Sequence, residues 1–190
     1  MSLRLNEGSE SDVRLVCPID VVLNSKQVAY AERMGYLRYQ NALTHNCGQD
    51  DGGSMDDALQ RDIDGCYGEL TFSVATGRAW VDNFMLPDFG HNIQVRCAPC
   101  KAARSPEWFG RMILRPKILV WTGTKFVDKG DDPKDNFVLV TGNPPYFRIE
   151  GWEVGYKIMR QEFKRIEANR PWAWFVPKSH LRLDLWQILD

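Results

Sequence analysis

The hydrophobic pattern changes its period near Trp80, and this change restricts the chain to a fold in which helices precede a sheet. Upstream of Trp80, apolar residues recur every three or four positions, which is the spacing of one buried helix face. Downstream, short apolar runs bounded by turn residues predict strands. We expect strands at residues 79–84, 92–98, 111–114, 118–122, 137–141, 146–154 and 172–176. Helices followed by strands predict an α+β (or α/β) fold with a mixed sheet.

The best-defined helix is predicted to begin near Leu59 and to end at Gly77, because glycine is the preferred residue just past a helix. Two glycines, Gly65 and Gly68, lie inside it, although each costs a helix about 1 kcal/mol relative to alanine. Glycines at such positions indicate the close approach of another backbone. The predicted buried face consists of Leu59, Ile63, Cys66, Tyr67, Leu70 and Val74.

The N-terminal part predicts one strand and one helix. Residues 13–21 alternate in polarity, and Pro18 among them indicates an edge strand or an irregular one. Ser25 is the predicted N-cap of a helix that runs to about Leu43. The apolar residues at helical spacing in this helix are Val28, Ala31, Met34 and Leu37.

Turn residues and charges predict the connections. Residues 45–54 and 125–134 are polar and predict loops, the second of them solvated. Residues 142–145 predict a turn that joins two strands as a hairpin. Residues 157–168 predict a short charged helix.

Length, charge and cysteine content set limits on the class of protein. A chain of 190 residues can bury one core, so we expect a single domain. The net charge of -1 gives no overall basic field for nucleic acid, although the 24 lysines and arginines can still form a local basic strip. Residues 1–13 lack the apolar core of a signal peptide, and no apolar run reaches the roughly 18 residues of a membrane span. Five cysteines, an odd number, favour a reducing compartment. We therefore expect a soluble, cytoplasmic protein.

Four polar side chains predict a site. Glu69 lies on the predicted helix, and Asp88 lies in the turn Pro87-Asp88-Phe89-Gly90 at a predicted strand start. Gln94 and Arg96 are two apart on the next strand, so both point to the same face. Phosphodiester hydrolysis requires neutralisation of the phosphate and activation of a water, and Mg²⁺ held by carboxylates provides both. The predicted catalytic residues are Glu69, Asp88, Gln94 and Arg96, with Glu69, Asp88 and Gln94 as metal ligands and Arg96 on the phosphate.

Each of these residues also has a structural interpretation. Glu69 can cap a helix or pair with a neighbouring cation, and Asp88 can cap its own turn. Gln94 and Arg96 can be ordinary strand surface. Only the ordered combination of the four favours a site.

The motifs Gly65-Cys66-Tyr67-Gly68-Glu69, Pro87-Asp88 and Gln94-Val95-Arg96 together resemble the PD-(D/E)XK nuclease superfamily, most closely uncharacterised bacteriophage proteins within it. The resemblance covers roughly residues 65–181 and includes residues 114–116, 137–142, 149–152 and 174–177. It implies a restriction-endonuclease-like core at residues 57–181, with residues 1–56 as an N-terminal extension. It also implies DNA as substrate, Mg²⁺ or Mn²⁺ as cofactor, and a location in the host cytoplasm for a phage-encoded protein.

Two positions differ from the pattern of that superfamily. Gln94 stands where the second acid is expected, and Arg96 stands where a lysine is expected. Arginine keeps its proton at any relevant pH, so Arg96 can stabilise phosphate charge but cannot act as a base. Water activation would then fall to the metal or to Lys101. The alternative functions are an inactive nuclease fold that binds nucleic acid or a host protein, and a virion structural or assembly protein.

Further residues carry weaker signals. Lys101, Arg104, Arg111 and Arg115 form the densest basic stretch, which either follows a nucleic-acid backbone or is solvated surface. Cys97 and Cys100 have the spacing of half a zinc site, and we disfavour a structural zinc there because no second half lies nearby. We expect no membrane partner, and a homo-oligomer remains open.

Overall fold

The computed structural model describes residues 14–44, 55–81, 88–99, 111–121, 126–166 and 172–189. Two long helices precede most of the strands, which confirms the α+β class predicted from the change of period. The helices are α1 (Ser25–Thr44), α2 (Met55–Thr76) and the one-turn α3 (Gly155–Ile158). Among the described residues, no helix has the length and apolar character needed to cross a membrane.

The main sheet has four strands in the order β1-β7-β6-β2. These strands are β1 (Ile19–Val22), β2 (Ile93–Pro99), β6 (Asn136–Asn143) and β7 (Tyr146–Val154). β6 and β7 form the predicted antiparallel hairpin, and β1 pairs with β7 as an antiparallel edge strand. β2 lies at the other edge and runs parallel to β6, so the sheet is mixed as predicted.

Two smaller sheets complete the strand pairing of the described residues. β3 (Arg111–Leu114), β8 (Lys164–Arg165) and β9 (Ala173–Pro177) form one, with β9 in the middle. β4 (Ile118–Trp121) and β5 (Phe126–Lys129) form the other. Six of the seven strands predicted downstream of Trp80 are therefore present, with ends shifted by one or two residues.

Two hydrophobic cores lie on opposite faces of the main sheet. Helix α2 packs on one face, where Val95, Val138 and Ile149 meet helix residues such as Cys66 and Phe72. The other core lies between the main sheet and the sheet of β3, β8 and β9, and it contains Phe137, Leu139, Met112, Leu114 and Val176. Helix α1 packs against α2. Residues 66–72 of α2 are all buried because neighbours surround this part of the helix.

The buried face of α1 differs from the predicted one. Ala31, Gly35 and Tyr39 are buried at a spacing of four, whereas Leu37 is 44% exposed. Val28, Ala31 and Met34 of the predicted stripe do pack in or against the core that contains Val95, so the prediction fails at Leu37 and omits Gly35 and Tyr39. Its N-cap is also one residue earlier than Ser25. Asn24 accepts a hydrogen bond of 3.0 Å from the Gln27 N–H, and the Gln27 side chain accepts one of 2.8 Å from the Asn24 N–H, which is a capping box.

Glycines set the packing of the two long helices. A Cβ on Gly35 would lie 2.5 Å from Ile63 Cα, so α1 crosses α2 almost backbone to backbone at this point. A Cβ on Gly68 would lie 2.9 Å from Cys97 Cβ, which confirms the predicted close approach of another chain segment, here β2. Gly65 is different, because a Cβ at this position would face the Arg38 guanidinium rather than the backbone of another segment.

Other sequence predictions need correction. Residues 79–81 form no strand, and residues 82–84 of that prediction lie outside the described residues. The predicted helix at residues 157–168 is instead the end of α3, a 3₁₀ turn at Gln161–Phe163 and strand β8 at Lys164–Arg165, and residues 167–168 lie outside the described residues. Val74 is 40% exposed, so it does not belong to the buried face of α2. Gly77 ends α2 with a φ of 70°, as predicted.

Candidate active site at the edge of the main sheet

At the outer edge of β2, Asp88 and Arg96 both bind the backbone of one residue, Val95. The Val95 N–H points away from β6 and donates a hydrogen bond of 2.6 Å to Asp88 Oδ2. The Val95 carbonyl accepts a bond of 3.2 Å from the Arg96 guanidinium. Asp88 itself is not in a strand; it precedes a short turn in which Phe89 pairs with Ile93. Its carboxylate therefore occupies the place of a further strand at this edge.

Glu69 reaches the same region from α2 and is tightly held. The Arg38 guanidinium donates one bond of 2.6 Å to Glu69 Oε1 and one of 2.5 Å to Oε2. The Trp80 indole N–H donates a third bond of 2.7 Å to Oε2. Glu69 is only 4% exposed. Three donors thus occupy most of the acceptor positions of this carboxylate.

Arg96 is anchored through Asp131, a residue in the segment for which we predicted a solvated loop. Asp131 is buried and accepts a hydrogen bond from the Arg96 guanidinium. Its second oxygen accepts a bond of 2.6 Å from the backbone N–H of Arg115. Arg96 also lies over the Phe137 ring at 5.5 Å. Asp131 therefore joins β2 to the residue that follows β3.

Gln94 and Arg96 lie on one face of β2, as the alternation of side chains predicts. Val95 and Cys97 face α2, whereas Gln94 and Arg96 face the opposite side. Gln94 donates a bond of 3.2 Å to Asp135 and accepts one of 3.5 Å from Arg96. Gln94 therefore lies beside Arg96, with its amide oriented by Asp135.

The charges at this edge do not balance. Glu69 pairs with Arg38, and Asp131 pairs with Arg96, but Asp88 forms no salt bridge with the residues that the structure describes. Burial and the nearby charge of Glu69 raise the pKa of Asp88 to about 7, against the opposing effects of Arg96 and the Val95 N–H. Burial alone would lower the pKa of Arg96, and the neighbouring carboxylates, Asp131 foremost, raise it. Among the residues that the structure describes, Asp88 is thus the carboxylate at this edge that lies beside Glu69 and Arg96 without a salt bridge of its own.

The predicted metal ligands fit a divalent cation only in part. Asp88 uses one oxygen for the Val95 N–H, and no described residue donates to the other. From the described residues, the Gln94 carbonyl oxygen accepts only the long bond from Arg96. Glu69, in contrast, cannot offer its carboxylate while Arg38 holds both oxygens. In the described part of the chain, no three His, Cys, Asp or Glu side chains are arranged to hold a metal ion.

The basic stretch and the zinc prediction can be located only in part. Arg111 lies on β3, and Arg115 follows β3 and is exposed, next to the Asp131 that holds Arg96. Lys101 and Arg104 lie outside the described residues, as does Cys100. Cys97 faces Gly68 of α2 and packs against the first core.

Sequence reasoning missed three residues of this site. Arg38 lies on the same side of α1 as Ala31 and Met34, but the sequence carried no signal that it pairs with Glu69. Asp131 lies in a stretch of Asp, Lys and Gly, and the sequence carries no signal that it is buried. Trp80 lies in a segment for which we predicted only a strand, and its indole N–H binds Glu69. The glycine in the middle of α1, Gly35, was the available signal for the helix crossing that brings Arg38 to Glu69.

A separate cavity of about 420 Å³ lies between α1, α2 and the turn after β6, with Glu32, Asp64 and Tyr67 in its wall. None of the predicted site residues lines it. The predicted site is therefore an edge of the sheet rather than this cavity.

Comparisons of this chain with protein-family models, with curated proteins and with solved structures find no match. The resemblance to PD-(D/E)XK nucleases thus depends on the motifs quoted above.

Proposed function

We propose that the edge of β2 binds a divalent cation and a phosphodiester, and that the protein hydrolyses DNA there as a PD-(D/E)XK-like nuclease. The observation that carries this proposal is the carboxylate of Asp88, which lies within the electrostatic influence of Glu69 and Arg96 and forms no salt bridge with the described residues. A carboxylate that is held in partial burial next to a like charge is stabilised by a proton or by a bound cation. Excess negative charge at one strand edge therefore favours a cation site.

Each residue has a definite role in this proposal. Asp88 and Gln94 would hold the cation, Mg²⁺ or Mn²⁺, and Glu69 would join them once it is released from Arg38. When bound, the cation would neutralise phosphate charge and lower the pKa of a water. Arg96 would donate to a phosphate oxygen, in an orientation fixed by Asp131 and the Val95 carbonyl. Arg115, next to this anchor, would contact the flanking backbone of the DNA.

The test is cleavage of circular and linear DNA with Mg²⁺ or Mn²⁺ by the wild type and by Asp88→Asn. The asparagine can still accept the Val95 hydrogen bond, so the variant removes the charge and retains the turn. We expect cleavage by the wild type and a loss of at least about 100-fold in the variant, which is comparable to losing one charge-stabilising group. Unchanged cleavage by a folded Asp88→Asn would exclude the mechanism.

An inactive nuclease fold that binds nucleic acid is the second candidate, and the saturation of Glu69 by Arg38 and Trp80 favours it. A folded wild type that cleaves with neither metal but binds DNA would select this function. For DNA binding, Arg115→Gln is compared with Arg148→Gln, since Arg148 lies on β7, away from β2, and pairs with Asp20 of the opposite edge strand β1. Only Arg115→Gln is expected to weaken binding and to lower its salt dependence by about one phosphate contact.

A further inference from the structure

The cavity between α1, α2 and the turn after β6 lies outside the proposed nuclease site and has the size of a small-molecule site. Its volume is about 420 Å³, which falls within the range of about 300–1,000 Å³ that is usual for ligand pockets. Apolar and polar side chains line it together. The apolar ones are Ile63 and Pro144, and the polar ones are Glu32, Gln60, Asp64, Tyr67 and Asn143. A few polar groups that converge on an otherwise apolar wall are typical of a site for a small molecule.

Two carboxylates in this wall accept hydrogen bonds from neutral donors. On α2, Gln60 and Asp64 are four residues apart, and the Gln60 amide donates a bond of 2.8 Å to Asp64 Oδ1. From α1, Glu32 Oε1 accepts a bond of 2.8 Å from the Tyr67 hydroxyl. Burial first, then the bond to Glu32 and the charges of both carboxylates, raise the pKa of Tyr67. Glu32 and Asp64 therefore act electrostatically on the same phenol.

The wall of this cavity carries negative charge. Among the residues that the structure describes, it includes the carboxylates of Glu32 and Asp64 and no lysine or arginine. Glu32 forms no salt bridge with a described residue, since the group that donates to it, the phenol of Tyr67, is neutral. A cleft lined by charges of one sign concentrates ligands of the opposite sign. The cavity therefore favours a cationic ligand.

Tyr67 supplies a hydrogen-bond acceptor beside this charge. The residue is 2% exposed, and its ring packs against Phe147 with 5.3 Å between the ring centres. Its hydroxyl donates to Glu32, but a phenol oxygen can also accept, and no described residue donates to it. An ammonium group has three N–H donors. It can therefore bind the Glu32 carboxylate and the Tyr67 oxygen together.

We propose that this cavity binds an aliphatic amine, with its ammonium group on Glu32 and the Tyr67 oxygen and its alkyl chain against Ile63 and Pro144. Asp64 adds negative charge to the same wall. The apolar side chains favour an alkylammonium over an inorganic cation, because the alkyl chain is removed from water on binding. This inference is independent of the proposed function, since none of the residues at the edge of β2 lines the cavity.

The experiment measures the affinity for 1,4-diaminobutane by calorimetry in the wild type and in Glu32→Gln. We expect the wild type to bind the diamine and Glu32→Gln to bind it at least about tenfold more weakly, because a neutral acceptor replaces a charged one. Glu162→Gln is the matched control. Glu162 is an exposed glutamate that does not line the cavity, so its replacement should leave the affinity unchanged. 1,4-Butanediol, which has the same alkyl chain without the charges, should not bind.

Tyr67→Phe is a second variant that tests the phenol oxygen and retains the ring that packs against Phe147. It removes an acceptor for the ammonium group and the donor that orients Glu32, so the diamine should bind several-fold more weakly. Chemical denaturation checks that each variant is folded. A folded Tyr67→Phe that binds the diamine as tightly as the wild type would overturn the proposal.

Side-chain amide signals in NMR spectra locate the bound amine. Gln60 and Asn143 line the cavity, so the diamine should shift their signals, whereas the signal of Gln161, an exposed residue outside the wall, should not move. Nα-acetyl-lysine methylamide distinguishes the two sources of an alkylammonium group, a free amine and the lysine side chain of a peptide. Shifts of the same signals by this probe would assign a lysine side chain as the ligand, and shifts by the diamine alone would assign a free amine.

Other results would overturn the inference. They are the absence of binding of both amines by the folded wild type at millimolar concentration, equal affinity of the wild type and Glu32→Gln, binding of 1,4-butanediol as tight as that of the diamine, and equal shifts at Gln161 and Gln60. None of these results bears on the proposed function, which depends on Asp88.

Discussion

The backbone N–H of Val95 donates a hydrogen bond of 2.6 Å to Asp88 Oδ2, so a side chain fills the position that a neighbouring strand would take at the edge of β2. This contact gives Asp88 a structural task and fixes its carboxylate next to Glu69 and Arg96 at the same time. A variant that removes the acceptor would disturb the turn as well as the charge. Asparagine is therefore the informative replacement, and alanine is not.

Asp88 should make stability depend on pH. The pKa of Asp88 is raised to about 7 in the folded protein, whereas its unfolded value is near 4. The protonated carboxyl therefore contributes fully to the free energy of unfolding below pH 4. This contribution is lost as the pH rises through 7. Asp88→Asn resembles the protonated form at every pH. In the presence of a chelator, we expect the variant to gain stability over the wild type from pH 4 to pH 7, by up to a few kcal/mol. Urea denaturation at several pH values measures this, and a difference that stays constant with pH would contradict it.

Asp131 and Asp132 are neighbours in sequence, but we expect them to contribute very differently to the free energy of unfolding. Asp131 is buried and accepts bonds from Arg96 and from the Arg115 backbone, whereas Asp132 pairs with Lys117 at the surface. We expect Asp131→Ala to lower the free energy of unfolding by about 1–3 kcal/mol, because it leaves a donor unsatisfied. Asp132→Ala should change it by no more than about 0.5 kcal/mol. Equal effects in chemical denaturation would show that Asp131 does not join β2 to β3 in solution.

Replacing each of the two glycines of α2 with alanine should change the stability of the protein in opposite directions. At Gly68 the new methyl group would lie 2.9 Å from Cys97 Cβ, so α2 and β2 must separate, at a net cost of about 1–2 kcal/mol. At Gly65 the nearest atom would be at 3.8 Å, and the gain in helix propensity should stabilise the protein by up to about 1 kcal/mol. Thermal unfolding of both variants measures this. Stabilisation by Gly68→Ala would mean that the helix does not contact β2 as described.

The sequence predicted the elements whose signal is local. The 3–4 spacing before Gly77 gave α2, and the alternating runs after Trp80 gave most of the strands. Gln94 and Arg96 were placed on a common face for the same reason, since strand alternation depends on no other part of the chain.

The sequence did not predict what depends on packing between distant segments. The stripe from Val28 to Leu37 matched a helix, but it indicated neither the burial of Gly35 and Tyr39 where α1 crosses α2 nor the pairing of Arg38 with Glu69. The burial of Asp131 arises from contact with the Arg115 backbone, which no pattern in residues 125–134 indicates. Long-range pairing of charges was therefore the part of the site that sequence could not supply.

The binding of Mn²⁺ to the wild type and to Asp88→Asn should be measured by isothermal titration calorimetry, with chemical denaturation as a check of folding. We expect Mn²⁺ to bind the wild type and to bind the variant at least about tenfold more weakly, because Asp88 supplies a negative charge that forms no salt bridge with the residues that the structure describes. Equal affinity of the two proteins, or no binding by a folded wild type, would contradict this expectation.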